Sequence, residues 1–286
     1  MATLTASARP ARPARRMPRP RTIAIAGGAY LIGLVFLLPY LEMVLTALRP
    51  DSQIKERNLF PTAVSFKSFT SIWSTGFGPS LASSLEIAAG STALVLLVAI
   101  PAAYYTARRK FRGRGIFLLL VLVTQMFQPT AMILGIYQEF QRFGMYNSIW
   151  ALILVNAGFN MAFAIWIMNA YFSSIPQEIE EAAIMDGCTR IGAMFRVIIP
   201  LAAPGIVTAL IFTFIAAWNE FVVALTLTDG KSLNPLTLKL SEYVGQYNVD
   251  WAHLFAGAVI STIPVIILFA LIENKVASGL TAGSVK

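Results

Sequence analysis

Glu181-Ala182-Ala183-Ile184-Met185-Asp186-Gly187, followed thirteen residues after the glycine by Pro200, is a polar, amphipathic island in a chain that is otherwise strongly apolar. Ser174, Pro176 and the acids Glu178, Glu180 and Glu181 open it. A serine can cap a helix, a proline suits the first turn, and acids favour the positive end of the helix dipole. Ile179, Ala182 and Ala183 stand at helical spacing and give that short helix one small-to-apolar face. Gly187 can take a left-handed conformation and end it. Thr189 can cap a second short helix, with Ile191, Met194, Phe195 and Ile198 on one face, before Pro200 and Pro204 close it. The expected product is a helix-turn-helix elbow over residues 172–203, lying across a membrane surface with small residues that admit another protein. A solvated loop with ordinary caps fits the same residues, and physical chemistry alone does not separate the two.

The surroundings of the island fix the class of the protein. Of 286 residues, 57% are hydrophobic and only 13% charged, and the mean hydropathy is +0.68, too little charge to cover a soluble domain of this size. Before the island, apolar runs at about 116–137 and 147–171 are each long enough to cross a hydrocarbon core of ~30 Å. After it come runs at about 204–228 and 253–272, and the chain starts with two more, at about 23–48 and 83–107. Six crossings of an all-α polytopic membrane protein result. The first run exceeds a signal-peptide core of ~7–15 residues and reads as an uncleaved helix.

Charge orients the bundle. Arg9, Arg12, Arg15, Arg16, Arg19 and Arg21 precede the first run, and Arg108, Arg109, Lys110, Arg112 and Arg114 follow the second. Basic flanks on alternate loops place both termini and the island in the cytoplasm. The same distribution assigns the formal +8 charge to topology and leaves no fold to carry nucleic acid. Residues 1–22 read as a disordered basic tail, 23–78 as the first helix and an outer loop, 79–272 as a core of helices two to six with the island, and 273–286 as a C-terminal tail. No internal repeat of the kind usual in single-chain secondary transporters is visible. One cysteine, Cys188, and one histidine, His253, exclude an internal disulfide and a His- or Cys-based metal site.

Polar residues inside the apolar runs are candidates for a solute pathway. At 1.5 Å per residue, Gln125 and Gln128 fall near the middle of the third crossing and Asn160 at a similar depth of the fourth. Asn156 lies further out, and Trp218, Asn219 and Glu220 lie in the outer half of the fifth. Amides and an indole suit a neutral sugar or polyol, whose hydroxyls need hydrogen bonds and whose ring needs an apolar face. Joining helices to one another is the competing role for each of them. Glu42 and Glu220 are costlier in lipid, and proton coupling through Glu220 is the sharp alternative. Pro39, Pro101, Pro129 and Pro264 are expected to kink their helices.

Glu181-Ala182-Ala183, three residues, Gly187, nine residues and then Val197-x-Ile199-Pro200 closely resembles the coupling motif of ABC importer permeases. Val197 and Ile199 replace its usual Ile and Leu. Trp218-Asn219-Glu220-Phe221 resembles the Trp-Asn segment of carbohydrate-uptake permeases. Residues Ser278 to Lys286 are similar to the tail of the maltose-type second permease subunit. Asp250-Trp251 and Pro264 fit as well, and the likeness covers roughly residues 30–286. Glu273-Asn274 departs from it, standing where these permeases commonly carry Gln and a basic residue.

The resemblance implies a type I ABC importer permease fold in the inner membrane and a chain that carries no ATPase of its own. The lack of a Gly-x-x-x-x-Gly-Lys-Ser/Thr phosphate loop agrees with that. Implied partners are a second permease, two copies of a cytoplasmic ATPase that uses ATP and Mg²⁺, an extracytoplasmic substrate-binding protein and membrane lipid. Implied contacts to the ATPase are Glu181, Ala182, Ala183, Asp186, Gly187 and Pro200 on the elbow, and Gly279, Leu280, Thr281 and Gly283 on the tail. The implied cargo is a sugar or polyol, carried by alternating access, with no cofactor bound by this chain. Glycerol phosphate is the alternative solute, and it would favour an Arg or Lys inside the helices, where none is found.

Overall fold

A computed structural model describes residues 20–50, 53, 63–109 and 111–282, with side chains for those from 25 to 272. Residues 1–19 of the basic tail, Lys110, and Gly283 with the three residues after it lie outside the described residues. The chain is helical, and the one β-type pairing among the described residues is a bridge between Val244 and Val249.

Helix α1 spans Pro20–Ala47, α3 Phe77–Arg108, α6 Ile149–Ser174 and α13 Trp251–Ala282; each contains a stretch long and apolar enough to cross a membrane. Two bent pairs, Arg114–Thr124 with Pro129–Arg142 and Arg190–Leu201 with Ala203–Trp218, bring the number of spans to six if each pair counts once. A short helix α2, Lys67–Ser71, and the turn Ile72–Thr75 lie between α1 and α3. Helix α12, Leu236–Glu242, lies at the same end. There Ser71 Oγ and Asp250 Oδ2 both bond the ring of His253, at 2.8 and 2.5 Å, tying α2 to the start of α13.

Three expected helices differ. The third crossing, expected as one helix over 116–137, is two: α4 Arg114–Thr124 and α5 Pro129–Arg142, bent by 93°. Pro129 is the cause, because it has no N–H to continue α4 and forces the preceding Gln128 into an extended conformation. Pro129 therefore opens a helix and does not kink one, whereas Pro39, Pro101 and Pro264 lie inside theirs. The fifth crossing, expected over 204–228, is α10 Ala203–Trp218 and α11 Val222–Leu227. Between them the Glu220 carboxylate accepts the N–H groups of Val223 (2.9 Å) and Ala224 (3.2 Å), a local cap that competes with continuation of the helix. The sixth does not end at 272, since α13 runs to Ala282 and the expected separate tail is mostly its last turns. Residues 273–278 contain neither Pro nor Gly to stop it.

The centre of the bundle is α3 against α6, with α10 laid on both. Its contact surface is largely alanine: Ala99, Ala103 and Ala107 of α3, Ala157 and Ala164 of α6, and Ala209 of α10. In lipid, close packing drives helix association, and small residues permit it. Gly205 is the extreme case, since a Cβ there would stand 2.3 Å from Cγ of Tyr171. Polar bonds fix the register: Ser91 Oγ donates to Ile153 O at 3.2 Å, and Asn169 Nδ2 to Thr106 Oγ1 at 2.8 Å. Helix α1 leans on α13 near its C-terminal end, leaving residues 25–41 exposed.

Candidate functional site

The island forms the expected elbow. Helix α7, Gln177–Met185, starts after the extended Pro176, with Glu178 and Glu180 in its first turn. Ser174 does not cap it: its hydroxyl donates to Tyr171 O at 2.8 Å, because Ser174 is still inside α6. Gly187 ends it at φ +91°. The Gly187 N–H donates to Ile184 O and the Cys188 N–H to Ala183 O, each at 3.0 Å, the paired closure that a left-handed residue makes possible. Thr189 Oγ1 then accepts the Gly192 N–H at 3.1 Å and caps α8, Arg190–Ala193.

The second half of the elbow is less regular than expected. A π turn, Met194–Ile198, follows α8, and α9, Ile199–Leu201, contains Pro200. Met194 and Ile198 are buried, but Ile191 and Phe195 are 69% and 60% exposed, so the four do not share one buried face. The wider winding of the π turn shifts the residues that follow relative to those before it. The elbow then turns 75° into α10. The apolar face expected on α7 divides too: Ala183 packs inward, whereas Ile179 and Ala182 face out with Glu181, Met185, Asp186 and Gly187.

A buried polar cluster attaches the elbow to the bundle, and its members carried other roles in the sequence. Glu180 Oε2 lies 3.0 Å from Arg108 Nε, with the two side chains 10% and 6% exposed. Glu180 Oε1 accepts the Tyr104 hydroxyl at 2.6 Å, and Arg108 Nη1 donates to Ile175 O at 2.7 Å. Among the described residues the Arg108 Nη2 and the Nε–H have no well-aligned acceptor. In sequence Glu180 is one more acid at a helix start and Arg108 one more basic flank. The available signal was the Glu180-Glu181 pair, because adjacent helix positions point ~100° apart and cannot both face solvent squarely.

The seven residues expected along a pathway fall in three places. Gln125 and Gln128 stand at the break between α4 and α5 and line an open cavity of about 680 Å³ with Met126, Phe127, Met132 and Phe159. A long bond of 3.5 Å from Gln125 Nε2 to Phe159 O ties the break to α6. Among the described residues no charged side chain lines this cavity. Asn156 is buried, and its amide donates to Leu152 O at 2.9 Å; the Asn160 amide donates to Asn156 O at 2.8 Å. Both therefore bond their own helix. Asn156 and Glu220 border a small void between α3, α6 and α11. Trp218 stacks on Phe214 and, with Asn219, lines a different cleft of about 620 Å³ between α1, α10 and α13. Of the seven, the structure brings Gln125 and Gln128 together on one cavity and Trp218 and Asn219 together on another of similar size. Gly279, Leu280 and Thr281 lie in the last turn of α13. Among the described residues no cluster of three or more His, Cys, Asp or Glu could hold a metal.

Known proteins share this fold. A bacterial ABC transporter involved in the import of the acidic polysaccharide alginate contains a chain of the same fold, with a TM-score of 0.76 at 23% identity over 89% of this chain and 96% of that one. The trehalose transport system permease protein SugB of Mycobacterium tuberculosis is 33% identical over 253 residues, 87% of this chain and 92% of the relative. The sulfoquinovosyl glycerol transport system permease protein SmoH of Agrobacterium fabrum is also 33% identical over 253 residues, 87% of this chain and 89% of the relative. Residues 95–280, from the middle of α3 to the end of α13, match the binding-protein-dependent transport system inner membrane components. With that match and relatives alike along nearly their whole length, the chain belongs to that family of ABC transporter permeases, as a membrane-spanning transport subunit.

Proposed function

We propose that this permease carries a sugar or polyol across the inner membrane by alternating access, driven by a separate ATPase that docks on the elbow. The observation that carries the reading is the outward face of α7 and its closing turn. Glu181, Ala182, Asp186 and Gly187 are exposed together on a short helix whose inward side is anchored. Ala183 packs on the core side of α7, and Pro200 is exposed in α9, just before the turn into α10. A small, rigid, exposed surface is what a soluble partner needs for close approach. The partners are a second permease, forming a heterodimer, two copies of the ATPase, and an extracytoplasmic binding protein. ATP and Mg²⁺ belong to the ATPase, and this chain binds no cofactor. Both termini are cytoplasmic, and the end of α13 with Gly279, Leu280, Thr281 and Gly283 makes the second contact. A bistable pair of bundles then shifts between inward and outward openings because ATP favours one state.

The neutral, amide-bearing cavity at Gln125 and Gln128 supports an uncharged cargo, as does the trehalose system of one relative. A second reading, an anionic solute such as a phosphoglycerol, draws on the sulfoquinovosyl glycerol relative. It requires a cation in the pathway, which the second permease would have to supply. The test is purification of the chain from its native membrane in mild detergent, with every co-purifying polypeptide identified by mass. A second permease and an ATPase are expected, and Glu181→Lys should lose the ATPase while keeping the permease partner. A chain that purifies alone, or an ATPase retained in full by Glu181→Lys, refutes the proposal.

A further inference from the structure

Docking on the outward face of α7 moves a solute only if the movement reaches the helices around the cavity. Helix α7 is short and covalently weakly constrained. It follows the extended Ile175-Pro176 link and ends on the left-handed Gly187, so the backbone can swivel at both ends. Its inward side is Ala183, which buries a single methyl, the half-buried Ile184 and the Glu180 carboxylate, the one buried polar group of the helix. Methyl packing resists compression and permits sliding. Hydrogen bonds and a buried ion pair have direction, and in a low-dielectric setting they resist both.

The cluster spans three elements. Tyr104 and Arg108 are one turn apart on α3 and both hold Glu180. Arg108 also donates to the carbonyl of Ile175, at the end of α6. Between them in the chain, Thr106 is joined to Asn169 of α6. Tyr104 meets Phe172 of α6 edge-on, with ring centroids 6.0 Å apart. The ends of α3 and α6 are thereby one unit; Ile198 and Ala202 pack the second half of the elbow against it, and Glu180 is the polar group that joins α7 to it.

We propose that Tyr104, Glu180 and Arg108 form the transmission clamp of this permease: positioning residues that compel α3 and α6 to follow the elbow when the ATPase moves it. The clamp rests on the docking role proposed above and adds the route by which motion enters the core. It need not contact the ATPase or the cargo. Removing Glu180 leaves the Arg108 guanidinium buried without its counter-charge, so α7 is released to swivel while its outward face stays intact.

The test uses the whole transporter in nanodiscs. Spin labels are placed on the native Cys188, in the elbow, and on Leu97→Cys, at an exposed position of α3. Distances are read without nucleotide and after trapping with MgATP and vanadate. Crosslinking from Cys188 to the ATPase reports docking independently. In the unaltered clamp the distance is narrow and the same in both states, because elbow and α3 move together. With Glu180→Gln, crosslinking persists, but trapping shifts the mean by more than about 3 Å, beyond the 1–2 Å slips of packed helices. Glu180→Asp and Tyr104→Phe should give intermediate shifts. A Glu180→Gln distance that matches the unaltered protein in both states overturns the clamp. Absence of crosslinking in the unaltered protein overturns the docking role first, and with it the clamp, which then has nothing to transmit.

Discussion

Gly187→Ala isolates the contribution of one backbone angle to docking. A Cβ at Gly187 meets nothing within 4 Å, so no steric clash enters the comparison. The whole cost is torsional. At φ +91° the residue lies beyond the small left-handed region open to side-chain-bearing residues, which itself costs roughly 1–2 kcal/mol. That energy works against the two closing bonds, Gly187 N–H to Ile184 O and Cys188 N–H to Ala183 O. If the closed turn is the form that docks, 1–2 kcal/mol lowers its relative weight about 5–30-fold. The apparent dissociation constant for the ATPase rises by the same factor once the closed form is the minority. Binding of purified ATPase to the permease in nanodiscs measures it directly. Gly187→Asn should recover most of the loss, because Asn tolerates left-handed angles far better than Ala. Gly187→Pro removes the N–H as well and fixes φ near −65°, so docking should disappear while the chain remains inserted. Equal affinities for the unaltered permease and for its Gly187→Ala and Gly187→Asn variants would mean that the left-handed turn makes no difference to docking.

Gly205→Ala is the opposite case, steric and not torsional. Its Cβ would meet Cγ, Cδ2 and Cβ of Tyr171 at 2.3, 2.5 and 2.7 Å, so rotating the ring leaves a clash and α10 must move from α6. Overpacking of this kind costs about 1–3 kcal/mol, read as a lowered melting temperature in detergent. Glu220→Gln keeps one carbonyl to accept from α11 and should retain uptake, whereas Glu220→Ala loses the cap and about 0.5–2 kcal/mol of stability. Uptake abolished by Glu220→Gln with the fold unchanged would show that the carboxylate serves the cargo or a proton and not α11. Gln125→Ala with Gln128→Ala should lower uptake of the sugar or polyol cargo proposed above with the melting temperature unchanged, because neither amide is buried. Asn156→Ala should show the reverse, a stability loss first, since its amide is enclosed and bonded to Leu152 O.

The local features of this chain were legible because local rules produce them. Runs of apolar residues gave the crossings, and the turn at Gly187 and the cap at Thr189 followed from residue types whose backbone preferences act over three or four positions. The break at Gln128 was also present in the sequence, in the Gln128-Pro129 pair, but an apolar run of full length hid it. Hydropathy measures the depth that a segment can occupy and is blind to whether its backbone is continuous. The break at Glu220 was harder to see, because a carboxylate capping the next helix looks, in sequence, like a charge inside a helix.

Sequence by itself determined the six apolar segments, their order, the elbow and the motif that marks the family. Tertiary structure decided which polar residues share a space. Asn156 and Asn160 turned to their own helix, where a carbonyl four residues back satisfies an amide without any partner. Trp218 and Asn219 turned to a cleft against α1 and α13, apart from the cavity of similar size that Gln125 and Gln128 line. It also decided that Glu180, and not its neighbour Glu181, meets Arg108, since a rotation of ~100° between adjacent helix positions puts one carboxylate inside and the other out. Nothing in the order of residues relates position 108 to position 180; that pairing exists only once α3, α6 and the elbow are packed.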